Sequence, residues 1–389
     1  MSPRAAITAV FFVNGALFAS WASRIPALSD RVGATTGVLG LALLAPALGA
    51  VVAMPIVGRL LPRRSSRSFC QVALVGLMAS LLLPALARSV VALAAGLFIV
   101  GIANSSLDLA MNAQGVSIER RLRRPILSSL HAAFSFGGFA GAGLGALAAA
   151  LGVAPLPQLT FAAAIFGTVG LVATRSLSAI DEDADAHAPA LNWRRVPSRL
   201  ALLGVACFFC LMAEGGASDW SAKLVRDDLA SSAALGATAY AVFSVAMGTG
   251  RLLADRLWAR WGAVGLLRRG GALAGVGFAV GLAPATAPTA IAGFAALGLG
   301  LAGVVPTLFR AAADEPAVST GAALSVVSAL GYLGFLAGPP LIGGVAQLTS
   351  LRMACGLLAL AGLLVVALAP NASVRRPHGR AEVRPSLAA

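Results

Sequence analysis

Long apolar stretches follow one another along this chain and limit what it can fold into. Each has about twenty residues with few charges, the length that a helix needs to cross the hydrocarbon core of a bilayer. The chain has 389 residues, 58% hydrophobic and 11% charged, whereas soluble domains are usually about 45–50% apolar and about a quarter charged. We therefore predict an all-α membrane protein embedded in the lipid bilayer, with no large soluble domain.

The apolar stretches and the charges between them predict twelve transmembrane helices. The expected spans are residues 5–23, 36–61, 68–87, 90–117, 128–150, 156–174, 199–221, 235–254, 270–287, 289–309, 321–345 and 351–369. The first span has the pattern of a secretory signal peptide, but eleven apolar stretches follow it, so we expect it to be retained.

Positive charge is distributed unevenly between alternate loops. With the N-terminus in the cytoplasm, 23 of the 29 Arg and Lys residues fall on the cytoplasmic side and six on the outer side, as the positive-inside rule requires. An even number of spans then leaves both termini cytoplasmic. These loops also account for the net charge of +14. Because no basic stretch is interleaved with exposed aromatics, we expect no nucleic-acid partner.

Two short motifs recur about half a chain apart. Residues 21–24 read Trp-Ala-Ser-Arg and residues 220–223 read Trp-Ser-Ala-Lys, while Gly-Arg-Leu-Leu occurs at 58–61 and again at 250–253. The first motif ends the first and seventh spans, and the second ends the second and eighth. Such matches between two sets of six spans indicate an internal repeat. The predicted parts are an N-terminal six-helix bundle (1–174), a cytoplasmic linker (175–198), a C-terminal six-helix bundle (199–369) and a cytoplasmic tail (370–389).

The turn after the eighth span resembles a motif of the major facilitator superfamily, approximately Gly-x-Leu-x-x-Asp-Arg. Gly250, Arg251, Asp255 and Arg256 fit it. The copy after the second span keeps Gly58 and Arg59 but has Arg63 in place of the acid. Residues 108–114 and 214–221 further resemble a bacterial branch akin to fucose permease. The resemblance implies two pseudo-symmetric bundles around a central cavity, alternating access, gating by both motif copies, and a bacterial cytoplasmic membrane.

Ionisable side chains inside the spans are the first candidates for chemistry, because each costs about 2.5–3.5 kcal/mol at the bilayer centre. Asp108 in the fourth span has Asn104 and Asn112 one turn to either side, and the three form a polar stripe on one face. Glu214 lies in the seventh span. We expect these groups to bind substrate or protons, since a carboxylate removed from water binds a proton more readily. A structural acid with a fixed partner is the alternative.

Aromatic and histidine side chains give further candidates. Asn14 in the first span shares a face with Phe18 and Trp21, an arrangement that can hold a planar or sugar-like ligand. Trp220 occupies the place in the seventh span that Trp21 occupies in the first. The alternatives to ligand binding are packing for Asn14 and anchoring at the membrane interface for the two tryptophans. His131 in the fifth span is either a proton-responsive switch or a residue capped or solvated near the cytoplasmic arginines.

Charged residues at the span ends are candidates for gates. Arg24 can pair with Asp219 at the outer end, although either group can also be merely interfacial. Glu119 and Arg310 are candidates for a gate at the cytoplasmic end. Glycines 137, 141 and 145 of the fifth span form a smooth stripe, which we expect to slide against the other bundle. Static packing is the alternative for that stripe.

These patterns predict a secondary active transporter that takes up a small polar, sugar-like solute together with protons. Its partners are the solute, protons and the bilayer; we expect a monomer without cofactor or metal. No nucleophile–base pair or metal-ligand cluster suggests an enzyme. Efflux of a metabolite or drug is a first alternative, but the fifth span lacks the Gly-Pro pair associated with many drug–proton antiporters. A membrane receptor or regulator is a second, usually marked by an appended soluble domain.

Overall fold

The structure is a computed structural model that describes residues 1–60, 65–122, 126–177, 196–316, 318 and 320–373. In these residues the chain forms fifteen α-helices and no β-strand. The helices are α1 (Pro3–Ala22), α2 (Ile25–Val32), α3 (Thr36–Ala42), α4 (Ala45–Leu60), α5 (Ser66–Ser80), α6 (Leu83–Leu86), α7 (Val90–Leu122), α8 (Leu127–Ala150), α9 (Pro155–Thr174), α10 (Ser198–Lys223), α11 (Ala233–Leu282), α12 (Ala287–Leu301), α13 (Val304–Ala313), α14 (Thr320–Leu348) and α15 (Leu351–Leu368).

The prediction of twelve membrane crossings is confirmed. Among the described residues, eleven helical segments are long and apolar enough to cross a membrane. One of them, α11, has 50 residues; a straight helix of that length would measure about 75 Å, more than twice the roughly 30 Å hydrocarbon core. It is interrupted at Gly262, whose φ of 68° is readily adopted by glycine. Helix α11 thus contains the eighth and ninth crossings.

Several crossings are broken or extended where the sequence alone predicts one simple helix. The second crossing consists of α3 and α4, the third of α5 and α6, and the tenth of α12 and α13. Helix α10 continues into a π-helical turn, Leu224–Asp228. The short α2, between the first and second crossings, was not predicted.

For description, α1–α9 are called the N-terminal half and α10–α15 the C-terminal half. Arg199 at the start of α10 donates to the carbonyl oxygens of Asn371 and Ser373, just past α15, at 3.0 Å each. This end of the bundle is called the terminal end, and the end with α2 and the Leu224–Asp228 turn is called the opposite end. Residues 178–195 of the predicted linker and 374–389 of the predicted tail lie outside the described residues.

The halves meet at the opposite end and near the middle of the bundle. Helices α3 and α14 pack so closely that a Cβ on Gly343 would lie 3.0 Å from the Gly40 Cα. Near the middle, α8 packs against α11, with Gly138 against Ser244. At the terminal end, the ion pairs among the described residues, Arg199–Glu315 and Arg310–Asp255, each join elements of the C-terminal half. The halves are therefore closed against each other at the opposite end.

The glycine stripe of the fifth span packs within its own half, contrary to the expectation of a sliding surface. A Cβ on Gly137 or Gly141 would overlap the carbonyl oxygen of Phe12 or Ala16 on α1, and one on Gly145 would overlap the Ser23 hydroxyl. The stripe lets α1 and α8 approach backbone to backbone, which is the static packing that small residues also provide. It is Gly138, one residue off the stripe, that faces the other half.

Candidate functional site

A single arginine in the middle of the bundle contacts both halves. Arg251 on α11 donates from Nη2 to the Glu214 carboxylate on α10, at 3.1 Å to Oε1 and 3.4 Å to Oε2. Its Nη1 donates to Ser135 Oγ on α8 at 2.8 Å and to the carbonyl oxygen of His131 at 3.4 Å. Arg251 thus joins an acid of the C-terminal half to the backbone and a hydroxyl of the N-terminal half. We call these four residues the Arg251 node.

The Arg251 node is neither buried away from water nor open like a surface ion pair. The side chains of Arg251 and Glu214 are 14% and 19% exposed. In such a partly dry setting Coulomb attraction exceeds its value in bulk water, and removing one partner leaves the other charge uncompensated. The pair is therefore a contact whose strength depends on the charge of Glu214.

The polar stripe of the fourth crossing is present on α7, and it is half-buried along its length. Asn104, Asp108 and Asn112 are all partly exposed. The Asn112 amide donates to Asp108 Oδ1 at 3.2 Å and to the Asp108 carbonyl oxygen at 2.8 Å. Among the described residues Asp108 forms no ion pair, and Asn104 Oδ1 has no hydrogen-bond donor. The stripe therefore offers acceptors that the fold does not use.

Tyr332 on α14 lies near both carboxylates, on the boundary between the two halves. Its hydroxyl lies within electrostatic range of both Asp108 and Glu214, and the residue is 41% exposed. Asp108 belongs to the N-terminal half, while Glu214 and Tyr332 belong to the C-terminal half. Asp108 and Glu214 are therefore both partly exposed acids near Tyr332, and the space beside that tyrosine is called the chamber.

The other candidates inside the spans are more deeply buried. Asn14 is fully buried and donates to Met111 Sδ at 3.7 Å. Trp21 and Trp220 are at most 1% exposed, and their Nε1 atoms find no acceptor among the described residues. Anchoring in the headgroup region is thereby excluded for both rings. The His131 ring packs edge-on against Phe11, with centroids 5.3 Å apart, so its contact to Arg251 is made by the backbone.

The predicted pairing of Arg24 with Asp219 is wrong for this structure. Arg24 donates to the carbonyl oxygens of Val153 at 2.7 Å and Gly145 at 3.5 Å, both in its own half. The Asp219 carboxylate accepts instead from the Ser218 hydroxyl at 3.2 Å and is 9% exposed. Arg24 therefore ties the end of the first crossing to α8 and to the turn that follows α8.

The residues of the two repeated motifs have separate surroundings. Gly250 packs against α12, where a Cβ would lie 2.5 Å from that of Ala302. Asp255 pairs with Arg310 at 2.5 Å, and Arg256 is exposed at the terminal end. For the first copy, Gly58 and Arg59 belong to α4, but their side-chain environment lies outside what the structure describes.

The two expected members of a cytoplasmic gate do not meet. Glu119 Oε2 accepts from the backbone N–H groups of Ile126 and Leu127, at 2.6 and 2.9 Å. A carboxylate at that place satisfies unpaired donors at the start of α8 and complements the helix dipole. Arg310 is taken by Asp255 and lies 5.2 Å from the Trp258 ring centroid. Each group therefore stabilises its own half.

Ser135 and Tyr332 belong to the site although the sequence analysis did not select them. The chain has only two tyrosines, and both lie within electrostatic range of Glu214. The small number of tyrosines could therefore have marked them as site candidates from the sequence alone. The role of Ser135 carries no such signal, because serines inside apolar helices usually bond to their own backbone.

Comparison with known proteins gives one family. The sequence profile described as Major Facilitator Superfamily matches residues 7–318. An uncharacterised MFS-type transporter of Yersinia pestis is 33% identical over 368 residues, covering 94% of each chain. An uncharacterised transporter of Sinorhizobium fredii is 31% identical over 371 residues, covering 95% of this chain and 98% of the relative. The crystal structure of the nucleoside transporter NupG has a TM-score of 0.70 at 14% identity, covering 95% of this chain and 99% of that one.

Proposed function

The chain belongs to the major facilitator superfamily, and from that premise we propose proton-coupled uptake of a small polar, sugar-like solute by alternating access. Membership itself makes the chain a multi-pass membrane transporter rather than an enzyme. The proposal adds the coupling ion, the direction and the class of solute.

The observation that carries the proposal is the position of Arg251 between the halves. One partner, Glu214, is a titratable group within the C-terminal half of a transport protein, and another, Ser135, belongs to the N-terminal half. A proton on Glu214 removes the charge that holds Arg251 within the C-terminal half, and so frees the guanidinium whose Nη1 contacts the N-terminal half. A coupling site requires such a link between proton occupancy and conformation.

Asp108 is the second proton site of the proposal. It faces the same chamber as Glu214 but has an amide rather than a cation as its partner. A carboxylate in that position needs water, a proton or a bound ligand to compensate its charge. We propose that Asp108 exchanges protons with the chamber while the solute is bound, and that Glu214 responds to this exchange through the shared chamber.

The proposed solute class follows from the hydrogen-bonding groups along α7. Asn104 and Asn112 place amides one turn to either side of Asp108, and Asn104 Oδ1 is buried without a donor. Such acceptors suit a solute with several hydroxyl groups, because unpaired buried acceptors reject analogues that lack donors. Asn14, Asp219, Trp220 and Trp21 are buried in this state, and we propose that they reach the solute when the opposite end opens.

The remaining parts of the proposal concern topology and subfamily. We propose that residues 1–174 and 199–369 move as two bodies, joined by a linker at 175–198 and followed by a tail at 370–389. The loop charge bias supports a cytoplasmic terminal end, so that the closed opposite end faces outward. Residues 108–114 and 214–221 support placement near the fucose permease-like branch.

Reconstitution into liposomes tests the proposed function. A thermal-shift panel of neutral sugars, polyols, nucleosides, amino acids and drugs on the purified protein selects the solute, and uptake of that solute is then measured with and without an inward proton gradient. We expect accumulation above the outside concentration only with the gradient, and dissipation of accumulation by a protonophore. Uphill transport without any ion gradient, or binding restricted to apolar drugs, would contradict the proposal.

A further inference from the structure

A second arginine joins the halves at the opposite end, and it is shared between two carboxylates. Arg226 donates to Asp30 on α2 through two parallel hydrogen bonds, from Nη1 at 2.6 Å and from Nη2 at 2.9 Å. Its Nε donates to Asp227, its neighbour in the π-helical turn. Asp30 lies in the N-terminal half, whereas Arg226 and Asp227 lie in the C-terminal half.

Separation of the two halves at the opposite end would affect the two partners of Arg226 differently. When the halves part at this end, the bonds to Asp30 must break, but the bond to Asp227 lies within one turn and can persist. Asp227 also accepts from Lys223 Nζ at 2.6 Å, which fixes its carboxylate beside the arginine. Asp30, 59% exposed, returns to water when released, whereas Arg226 is only 19% exposed.

We propose that Arg226, Asp30 and Asp227 form an ionic latch in which the arginine is shared between two carboxylates while the opposite end is closed, and loses the inter-half one but keeps the intra-half one as that end opens. Asp30 stabilises the closed state, and Asp227 stabilises the open state by keeping the guanidinium paired there. The inference rests on the proposed function only in requiring that the halves separate at this end, and it involves neither solute nor coupling ion.

The latch makes a prediction that a simple surface ion pair does not. Neutralising either carboxylate removes one negative charge from the same arginine, yet the two changes act in opposite directions. Asp30→Asn raises the ratio of open to closed molecules, and Asp227→Asn lowers it. Because partly exposed ion pairs contribute about 0–1 kcal/mol, we expect each shift to be about two- to fivefold.

Double electron–electron resonance in lipid nanodiscs measures this ratio directly. Arg88→Cys and Met353→Cys place one spin label on each half at the opposite end, at exposed positions. The four native cysteines are buried, which favours labelling at these two sites. Asp228→Asn is the matched control, because the Asp228 carboxylate accepts from the Arg352 backbone N–H within the C-terminal half, at 2.7 Å. It should leave the ratio unchanged.

Loss of Asp227 also leaves Lys223 unpaired, so the double variant K223Q/D227N is measured as well and is expected to shift in the same direction as Asp227→Asn. On an Arg226→Gln background, neither Asp30→Asn nor Asp227→Asn should shift the ratio further. Equal shifts in one direction for the two carboxylates, or shifts no larger than for Asp228→Asn, would overturn the latch while leaving the proposed function standing. If no variant shows a separated state, alternating access at this end fails, and the latch fails with it.

Discussion

Asp108 and Glu214 are two acids on one chamber, and the fold treats them differently. Glu214 is paired with Arg251, which also binds the other half. In the part of the chain that the structure describes, the side-chain partner of Asp108 is the Asn112 amide of its own helix. Removing the charge of Glu214 would leave a cation that contacts both halves without its carboxylate, whereas removing the charge of Asp108 would leave no described cation without a partner. In the proposed function, this difference gives Glu214 the control of conformation and Asp108 the exchange of protons.

The largest effect is expected for Glu214→Gln. The change leaves the Arg251 charge without a carboxylate, and hydrogen bonds to charged groups contribute about 1.5–3 kcal/mol. We expect a roughly 10- to 100-fold slower transport rate and a lower unfolding temperature, with partial recovery in Glu214→Asp. Transport kinetics and thermal unfolding in detergent provide both readings.

Asp255→Asn is the matched control for Glu214→Gln. It breaks another ion pair of α11, that to Arg310, but both side chains are about half-exposed and the pair does not join the halves. The expected loss is below threefold, since exposed pairs contribute about 0–1 kcal/mol. Equal effects of the two substitutions would remove the special role of the Arg251 node.

Asp108→Asn tests whether the two acids have different roles, because it should affect accumulation but not stability. No cation loses its partner, so the unfolding temperature should stay near that of the unsubstituted protein. Proton-driven accumulation should fall by about tenfold, because an amide cannot carry a titrating proton. Asp314→Asn, at an exposed acid just past α13, should change neither quantity. A large loss of stability in Asp108→Asn would mean that Asp108 is a structural acid.

Gly343→Ala tests whether the opposite end must close for either acid to work. The new Cβ would lie 3.0 Å from Gly40 Cα and 3.1 Å from the Thr36 carbonyl oxygen. Overpacking costs about 1–3 kcal/mol, and small backbone shifts keep the cost near the lower limit, so transport should slow by about fivefold. A Cβ on the adjacent Gly344 meets nothing, and Gly344→Ala should transport at the unsubstituted rate. Equal rates for the two variants would show that this contact is not needed.

The smallest effect is expected for Ser135→Ala, which removes one of the two hydrogen bonds from Arg251 to the N-terminal half and leaves the one to the His131 carbonyl oxygen. Because that bond remains, the loss should be below the roughly 1 kcal/mol of a whole hydrogen bond, and we expect about a threefold slower rate with little change in the unfolding temperature. Ser129, on the same helix, bonds to the Ile126 carbonyl oxygen, and Ser129→Ala should be neutral. If both serine variants behave alike, Arg251 does not act across the halves.

The crossings could be predicted from the sequence because a bilayer leaves no other way to satisfy the backbone. Twelve apolar stretches became twelve membrane crossings, and the sequence did not predict where the helices within them begin, end or break, as at Gly262 within α11. The polar stripe of α7 could be predicted too, because the 3.6-residue period fixes which side chains share a face.

Partners across the bundle could not be predicted, because helix period does not say which helix faces which. The pattern of glycines 137, 141 and 145 fits either a sliding surface or static packing. That they pack against the first crossing is known only from the tertiary structure. Arg251 and Ser135 are 116 positions apart in the chain. Glu119 was predicted as part of a gate, but its carboxylate accepts from backbone N–H groups at the start of α8, which the sequence pattern did not indicate.

The most direct test of the account is accumulation by the double variant Asp108→Asn, Glu214→Gln in proteoliposomes with an imposed proton gradient. The measured quantity is the ratio of solute inside to outside at steady state, compared with the unsubstituted protein at equal incorporation. The account predicts a ratio that reaches one and does not respond to the gradient, because neither remaining side chain can carry a proton. Accumulation equal to that of the unsubstituted protein would contradict it.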